Sequence, residues 1–367
     1  MRAEISAAGF ESRLVKVGSI PTPRSKARSW PKSVLMEGAT WGSGWGWINI
    51  YCWVWQHLRC WLPFWFCRGS SAPQSCDLGS GKIKMTANIK HMLGRAMPIV
   101  RDYNRVRHAY RFAFSRPARI LRPRTFSEKV QWRKLFERDR RMPLRADKIE
   151  VKDFVSKTLG PEWVTPTLWH GAQLPDLPAR DWPMPFVIKA SHGSKMNRFV
   201  RSPDELDWQK IEAATAKWLS ETYYGSWSGE WLYSQIPPRL LVEPFINSIA
   251  TLPIDYKFWT FGGRVEFIQV DTDREKAHKR TMFDRDWEEL PFTIATAKDT
   301  RPIPRPRSLD RMIQAAELLS ENSEFVRVDL YEIEGSPRFG EMTYYPESGL
   351  SRFYPESSDL DVGRLWR

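Results

Sequence analysis

Cysteine is missing from residues 85–367; the four present, Cys52, Cys60, Cys67 and Cys76, all precede them. Their spacing fits no zinc signature, and a body without thiols has no disulfide framework, which favours a reducing, cytoplasmic setting. Long apolar runs are missing as well. The most apolar window, residues 48–67 of the tryptophan-rich "WGSGWGWINIYCWVWQHLRCWLPFWFC", carries Gln56, His57 and Arg59 near its centre. One arginine there costs about 2.5–3.5 kcal/mol, so no transmembrane span is expected. No clean apolar core follows the N-terminal charge, so no signal peptide is expected. The "GSGK" at 79–82 has Cys76 in place of the first loop glycine and Ile83 in place of Ser/Thr, so it is no phosphate loop. Internal repeats and a regular strand–helix–strand alternation are absent too.

What is present is basic charge, unevenly spread. The net charge is +13, and residues 1–84 hold 11 Lys+Arg against 4 Asp+Glu, together with eight of the 19 tryptophans. That leader lacks periodicity and reads as a disordered tail or an over-extended gene start. Residues 85–146 are helical in texture and strongly basic, a pattern that suits an anionic glycan, a membrane surface, nucleic acid or merely solvent. No nucleic-acid motif accompanies the charge, and no nucleic acid is expected. Further on, Val151, Phe154, Val155 and Leu159 recur at helical spacing before Gly160-Pro161, with Lys148 expected in the first turn. "MPFVIKASHGSKMN" reads as a buried strand ending at Lys189 and a small polar loop. A helix is expected over 205–222 with Ser202-Pro203-Asp204-Glu205 as its entry, and another over 309–321. "DYKFWTFGGRVEFIQV" reads as a hairpin turned at Gly262-Gly263. This mixture predicts an α+β fold.

The closing segment, "FVRVDLYEIEGSPRFGEMTYYPESG", reads as a second hairpin. Pairing centred on Gly335 sets Asp329 opposite Glu341 on one face. Like charges so placed repel unless something positive lies nearby. Lys189, Glu243, Lys257, Asp329 and Glu341 all sit within apolar strands, where charge is costly without a partner. Lysines for phosphate oxygens and carboxylates for a hard divalent ion would meet that cost. The plainer alternative is an internal ion network using Arg327 and Arg338, and Lys257 divides between a phosphate contact and a salt bridge to Asp255.

These segments, with "RTFSEKVQWRKLF", "DKIEVKDFV" and "LYSQIPPRLLVEPFI", resemble over about residues 121–350 the ATP-grasp enzymes, in the branch similar to teichuronopeptide biosynthesis proteins. The resemblance implies two α+β subdomains sandwiching ATP and Mg²⁺, here expected at 147–245 and 246–367 behind a basic helical segment, without the α/β domain that precedes the grasp in many relatives. It implies phosphate contacts from Lys148 and Lys189, a covering loop of Ser191, His192, Gly193 and Ser194, a nucleotide contact from Glu243, and metal ligands Asp329 and Glu341. Thr343 stands where the wider superfamily often has asparagine, which puts a second fully coordinated metal in doubt. Arg274 and Arg280 are candidates for holding the acceptor carboxylate and acyl phosphate. The implied reaction joins an amine or amino acid to a carboxylate of a glycan or uronic-acid-containing acceptor. Two rivals compete: a glycosyltransferase using Asp271-Thr272-Asp273 as a D-x-D site, and a non-enzymatic polyanion-binding module.

Overall fold

The computed structural model describes residues 87–222, 224–246, 253–273 and 277–367, with side chains from residue 100 onward. The tryptophan-rich leader therefore lies outside the described residues. Helix α1 (Ala87–Phe114) leads into α2 (Phe126–Phe136), α3 (Arg141–Ala146) and α4 (Glu150–Leu159). The α2 start is fixed by a capping box in which Thr125 accepts from the Glu128 N–H and Glu128 reaches back to the cap. In α4, Val151 and Val155 are buried, and Gly160, at φ 109°, ends the helix. Lys148 does not lie in the first turn as expected. It sits just ahead of it, in a turn where Asp147 accepts from the Ile149 N–H at 2.8 Å.

Two antiparallel sheets follow. The first has four strands in the order β1-β4-β2-β3, with β1 Trp169–Gly171, β2 Phe186–Ala190, β3 Asn197–Val200 and β4 Leu240–Pro244. Ile211 of helix α5 (Trp208–Ser220) packs with Phe186, Ile188, Val200 and Val242. The entry to α5 differs from the sequence expectation: Pro203–Glu205 forms a separate 3-10 turn, and Asp207 is the cap, accepting from the Lys210 N–H at 3.0 Å.

The second sheet has five strands in the order β10-β9-β5-β6-β7: β5 Asp255–Phe261, β6 Arg264–Thr272, β7 Lys279–Phe283, β9 Phe325–Ile333 and β10 Ser336–Thr343. Between them, β8 (Thr293–Ile294) pairs with β11 (Phe353–Tyr354), and α7 (Ser357–Leu365) closes the described chain. Strand alternation gives β5 and β9 two faces. Phe258, Val326, Val328 and Leu330 form core with Leu309, Met312, Ala316 and Leu319 of α6 (Leu309–Ser320). Asp255, Lys257, Arg327 and Asp329 occupy the opposite face. Phe126 of α2 fills the far end of that face, its ring 5.0 Å from Trp259 and 4.9 Å from Phe325.

Both hairpins turn where the sequence suggests, at Gly262-Gly263 and at Glu334-Gly335, with positive φ at each residue. The second is not a regular ladder centred on Gly335. Ser336 pairs with Ile333 and Phe339 with Leu330, and then a bulge at Gly340 shifts the register so that Glu341 faces Asp329. In a regular ladder Gly340 would pair with Asp329, and Glu341 would face Val328 and the apolar core; leaving Gly340 unpaired turns Glu341 to the charged face. Only glycine fits the close approach, since a Cβ on Gly340 would lie 2.9 Å from the Asp329 carbonyl oxygen. Gly340→Ala is expected to cost about 2 kcal/mol or more, because backbone must move. Gly262→Ala meets nothing within 4 Å and carries only the positive-φ penalty, about 1–2 kcal/mol. Urea unfolding of the two variants checks this; an equal or smaller loss for Gly340→Ala would contradict it.

Candidate functional site

A cleft of about 590 Å³ is lined by residues of both sheets and of the turn before α4. Its two walls carry opposite charge. On the four-stranded side stand Lys148, Lys152, Lys189 and Lys195 against Glu243; on the five-stranded side stand Asp255, Asp271, Asp329, Glu341 and Glu347 against Lys257, Arg280 and Arg327; Glu230, buried beside Ser228, also lines the cleft. The second wall is net −2 before His278 is counted.

The lysine side is organised by Glu243. Its carboxylate lies opposite Val187, buried, and takes Lys189 Nζ at 2.6 Å on one oxygen and Lys152 Nζ on the other. Burial works to raise the Glu243 carboxyl, but the two lysines outweigh it and hold it below the usual range. Lys148 Nζ donates to the Gly193 carbonyl at 2.6 Å. Burial pulls Lys148 down, with Glu341 of the other wall opposing that shift.

On the carboxylate side, one row across the sheet runs Glu341, Asp329, Lys257, Gln269. Asp329 is 1% exposed and held by two cations. Arg327 donates to both its oxygens at 2.7 Å, and Lys257 Nζ lies 2.8 Å from one of them. Burial works against the charges on Arg327 and Lys257, yet the neighbouring aspartates outweigh it and raise both groups. The repulsion built into the hairpin is thus relieved by protein cations and does not by itself require a metal. Among the described residues, no group of three or more His, Cys, Asp or Glu could hold one alone. The donor set instead suits an Mg²⁺ ion that brings phosphate oxygens of its own, as Mg²⁺ commonly does. Glu341, with 42% of its side chain exposed, is the solvent-facing carboxylate beside the buried Asp329, 3.7 Å from Arg327, and the wall's surplus of negative charge remains to be neutralised.

Other candidates fall differently. Gly193 and Ser194 line the cleft, as the covering-loop reading requires, but Ser191 and His192 do not. Both are fully buried where β2 turns inward, Ser191 Oγ donating to the Pro237 carbonyl at 3.4 Å and His192 Nε2 lying 3.1 Å from the Trp218 carbonyl. Lys257 takes the ion-pair side of its alternatives, held by Asp255 and Asp329. Thr343 Oγ1 bridges, accepting from Arg327 at 3.1 Å and donating to Glu341 at 3.2 Å. Arg280 lines the cleft but is engaged by Asp271 at 2.8 Å, the Ile294 carbonyl at 3.0 Å and Glu347 at 3.0 Å. Arg274 lies outside the described residues. Arg338 turns away to the Glu162 carbonyl. The D-x-D pair does not converge: Asp271 is buried against Arg280, whereas Asp273, at φ 49°, pairs with Arg301 at 2.7 Å on the exposed side.

Sequence reasoning missed Lys152, Glu230 and the shelf at Pro346–Gly349. Lys152 stands one helical turn after Lys148, a spacing that was available as a signal. The shelf carries Glu347 and Ser348 at φ 47° and 59°, a conformation that must be held from outside. Gln131 Nε2 donates to the Ser348 and Gly349 carbonyls at 3.2 and 3.0 Å, and the wholly buried Lys134 donates to the Ser348 carbonyl at 2.7 Å. Burial pulls Lys134 down to about 8 and pushes the nearby Glu230 carboxyl up.

Because the folded pKa of Glu243 is depressed, its stabilising contribution is fully present above the unfolded carboxyl value and is lost as pH falls through the folded one. Glu243→Gln should cost about 2 kcal/mol near neutrality. That deficit against wild type should shrink in acid unfolding series below about pH 4.5. A pH-independent difference would contradict the assignment.

The family described as TupA-like ATPgrasp matches residues 128–367. No curated protein matches the chain. Among solved structures, D-alanine–D-alanine ligase from Bacillus anthracis complexed with ATP is similar at 13% identity and TM-score 0.36, covering 55% of each chain. An L-amino acid ligase from Bacillus licheniformis is similar at 15% identity and TM-score 0.34, covering 55% of this chain and 43% of that one. A third, D-alanine–D-alanine ligase from Helicobacter pylori, shows 16% identity and TM-score 0.32, covering 60% of this chain and 58% of its own. The chain therefore spans about half the length of these structures.

Proposed function

This chain belongs to the TupA-like ATP-grasp family, and from that premise we propose that it is an ATP-dependent carboxylate–amine ligase that modifies a cytoplasmic precursor of a cell-surface glycan. The observation that carries this reading is the polarity of the cleft, four lysines against one glutamate on one wall and a carboxylate surplus on the other. A triphosphate with its divalent ion has the complementary charge distribution.

In this reading the 147–245 and 246–367 segments are the two subdomains, and Lys148 and Lys189 contact phosphate oxygens. Lys189 is pre-positioned by Glu243, and Glu341 of the opposite wall opposes the downward shift that burial imposes on Lys148. The γ-phosphoryl group passes to a substrate carboxylate as the bond from the γ-phosphorus to the bridging oxygen breaks and ADP departs with the electron pair. Attack by an amine then forms a C–N bond as the C–O bond to phosphate breaks, phosphate departing with the electron pair and the amine's surplus proton passing to solvent. The protein's part is to fix positions and neutralise charge. Mg²⁺, when held by Glu341 and Asp329 with the nucleotide, supplies electrostatic neutralisation of the phosphates. Arg327 locks Asp329 in one orientation, which suits a carboxylate that must meet an arriving ligand without rearranging. Arg280 at the cleft is the described candidate for an acceptor carboxylate or acyl phosphate, and displacing Glu347 from it would free donors for that purpose. The glycosyltransferase reading has no such support, because its two aspartates serve separate ion pairs.

Melting of the full chain checks the reading. Mg-ATP should raise Tm, and a panel of UDP-sugars should leave it unchanged. Lys148→Met/Lys189→Met should abolish the Mg-ATP response, and Glu341→Gln should weaken it with little change in the ligand-free Tm. Stabilisation by a UDP-sugar with indifference to Mg-ATP would sink the ligase reading.

A further inference from the structure

The ligase reading leaves one charged surface unused. The outer face of α1 and the loop that follows it present Arg101, Arg107, Arg111, Arg119 and Arg122, all exposed. Among the described residues, none of the five has an ion-pair partner. Between residues 100 and 124 the only acidic residue is Asp102, and it is buried, 3.0 Å from Arg105. Amid these arginines stand two large apolar side chains, Phe112 at 85% and Leu121 at 69% exposure.

This face is rigidly backed. Val106 and Tyr110 are fully buried beneath it, and Val106 packs with Ile120 and Leu135. The loop is shaped by Glu128, which is 1% exposed and accepts the Arg119 N–H at 3.2 Å, the Arg124 N–H at 3.1 Å and the Arg116 guanidinium at 3.1 Å. Arg116 is thereby neutralised, while Arg119, Leu121 and Arg122 are left facing solvent. Arg352 adds a further positive charge at the helix end, donating to the Ala113 carbonyl at 2.9 Å.

We propose that this face is a docking surface for an anionic phospholipid bilayer, the five arginines meeting lipid phosphates while Phe112 and Leu121 enter the headgroup boundary. Charge complementarity and the apolar pair together favour this occupant. Arginine-rich segments are attracted to anionic leaflets, and a helix lying at the interface buries its apolar side chains a short way into the acyl boundary. Nucleic acid would use the charge but has no use for an exposed leucine, which offers no ring for a base to stack on.

The test is co-sedimentation of the full chain with vesicles of phosphatidylglycerol and phosphatidylcholine, or of phosphatidylcholine alone, at low and high salt. Binding to the anionic vesicles only, lost at high salt, is expected. Arg107→Glu/Arg111→Glu/Arg119→Glu/Arg122→Glu should lower partitioning at least tenfold, and Phe112→Ser/Leu121→Ser several-fold, each with the Tm and Mg-ATP response of wild type. Absence of wild-type binding, or equal binding by the charge-reversed variant, would overturn the proposal. So would binding to single-stranded RNA that is unaffected by the Phe112/Leu121 changes, in a chain indifferent to vesicles.

Discussion

The site depends on the Arg327–Asp329–Lys257 cluster buried in the middle of the five-stranded sheet. A buried carboxylate is costly unless paired and hydrogen-bonded, and here Arg327 grips both oxygens while Lys257 holds one of them and also Asp255. Removing either cation would leave a buried aspartate at the wall of the cleft short of its partner. The cluster therefore fixes which side of β9 can face ligand, and it leaves Glu341 as the carboxylate with freedom to respond.

The rest of the cleft is arranged around that fixed point. Opposite it, Glu243 holds Lys152 and Lys189 in place, so the cationic wall is pre-formed rather than assembled from mobile side chains. Below it, Gln131 and Lys134 spend buried hydrogen bonds on a shelf whose backbone is left-handed at consecutive positions, and that shelf delivers Glu347 to Arg280. Strain retained in this way, at the edge of a charged cleft, holds Glu347 against Arg280 until a ligand competes for that guanidinium.

Much of this was legible in the sequence where the physics is local. Gly262-Gly263 announced one hairpin and Gly335 the other, alternation in "DYKFWTF" and "FVRVDLYEI" separated core from charge, and strand-borne lysines and carboxylates marked Lys189, Glu243, Asp329 and Glu341. The facing of Asp329 and Glu341 was anticipated, but by assuming a ladder centred on the turn. In fact a bulge at Gly340 produces it, and a bulge is chosen by tertiary crowding that no spacing reveals. Asp207 displaced the expected helix entry for a similar reason, since several short polar residues in a row can each cap. Ser191 and His192 look like loop residues in a row of small polar side chains, and only the inward turn at the end of β2 removes them from the cleft. Lys134 and Gln131, in a helix that reads as basic, gave no sign of being buried, because the Ser348 carbonyl they share as a partner lies more than 200 residues away.

The central claim is that one wall of the cleft receives phosphate and the other receives the metal that accompanies it. A crystal structure with Mg²⁺ and adenylyl imidodiphosphate tests this directly. The account predicts phosphate oxygens against Lys148 and Lys189, and the ion between them and the Glu341 carboxylate, with the Arg327–Asp329 pair unmoved. Nucleotide bound away from the two lysines, or an ion held elsewhere with Glu341 facing bulk water, would contradict it.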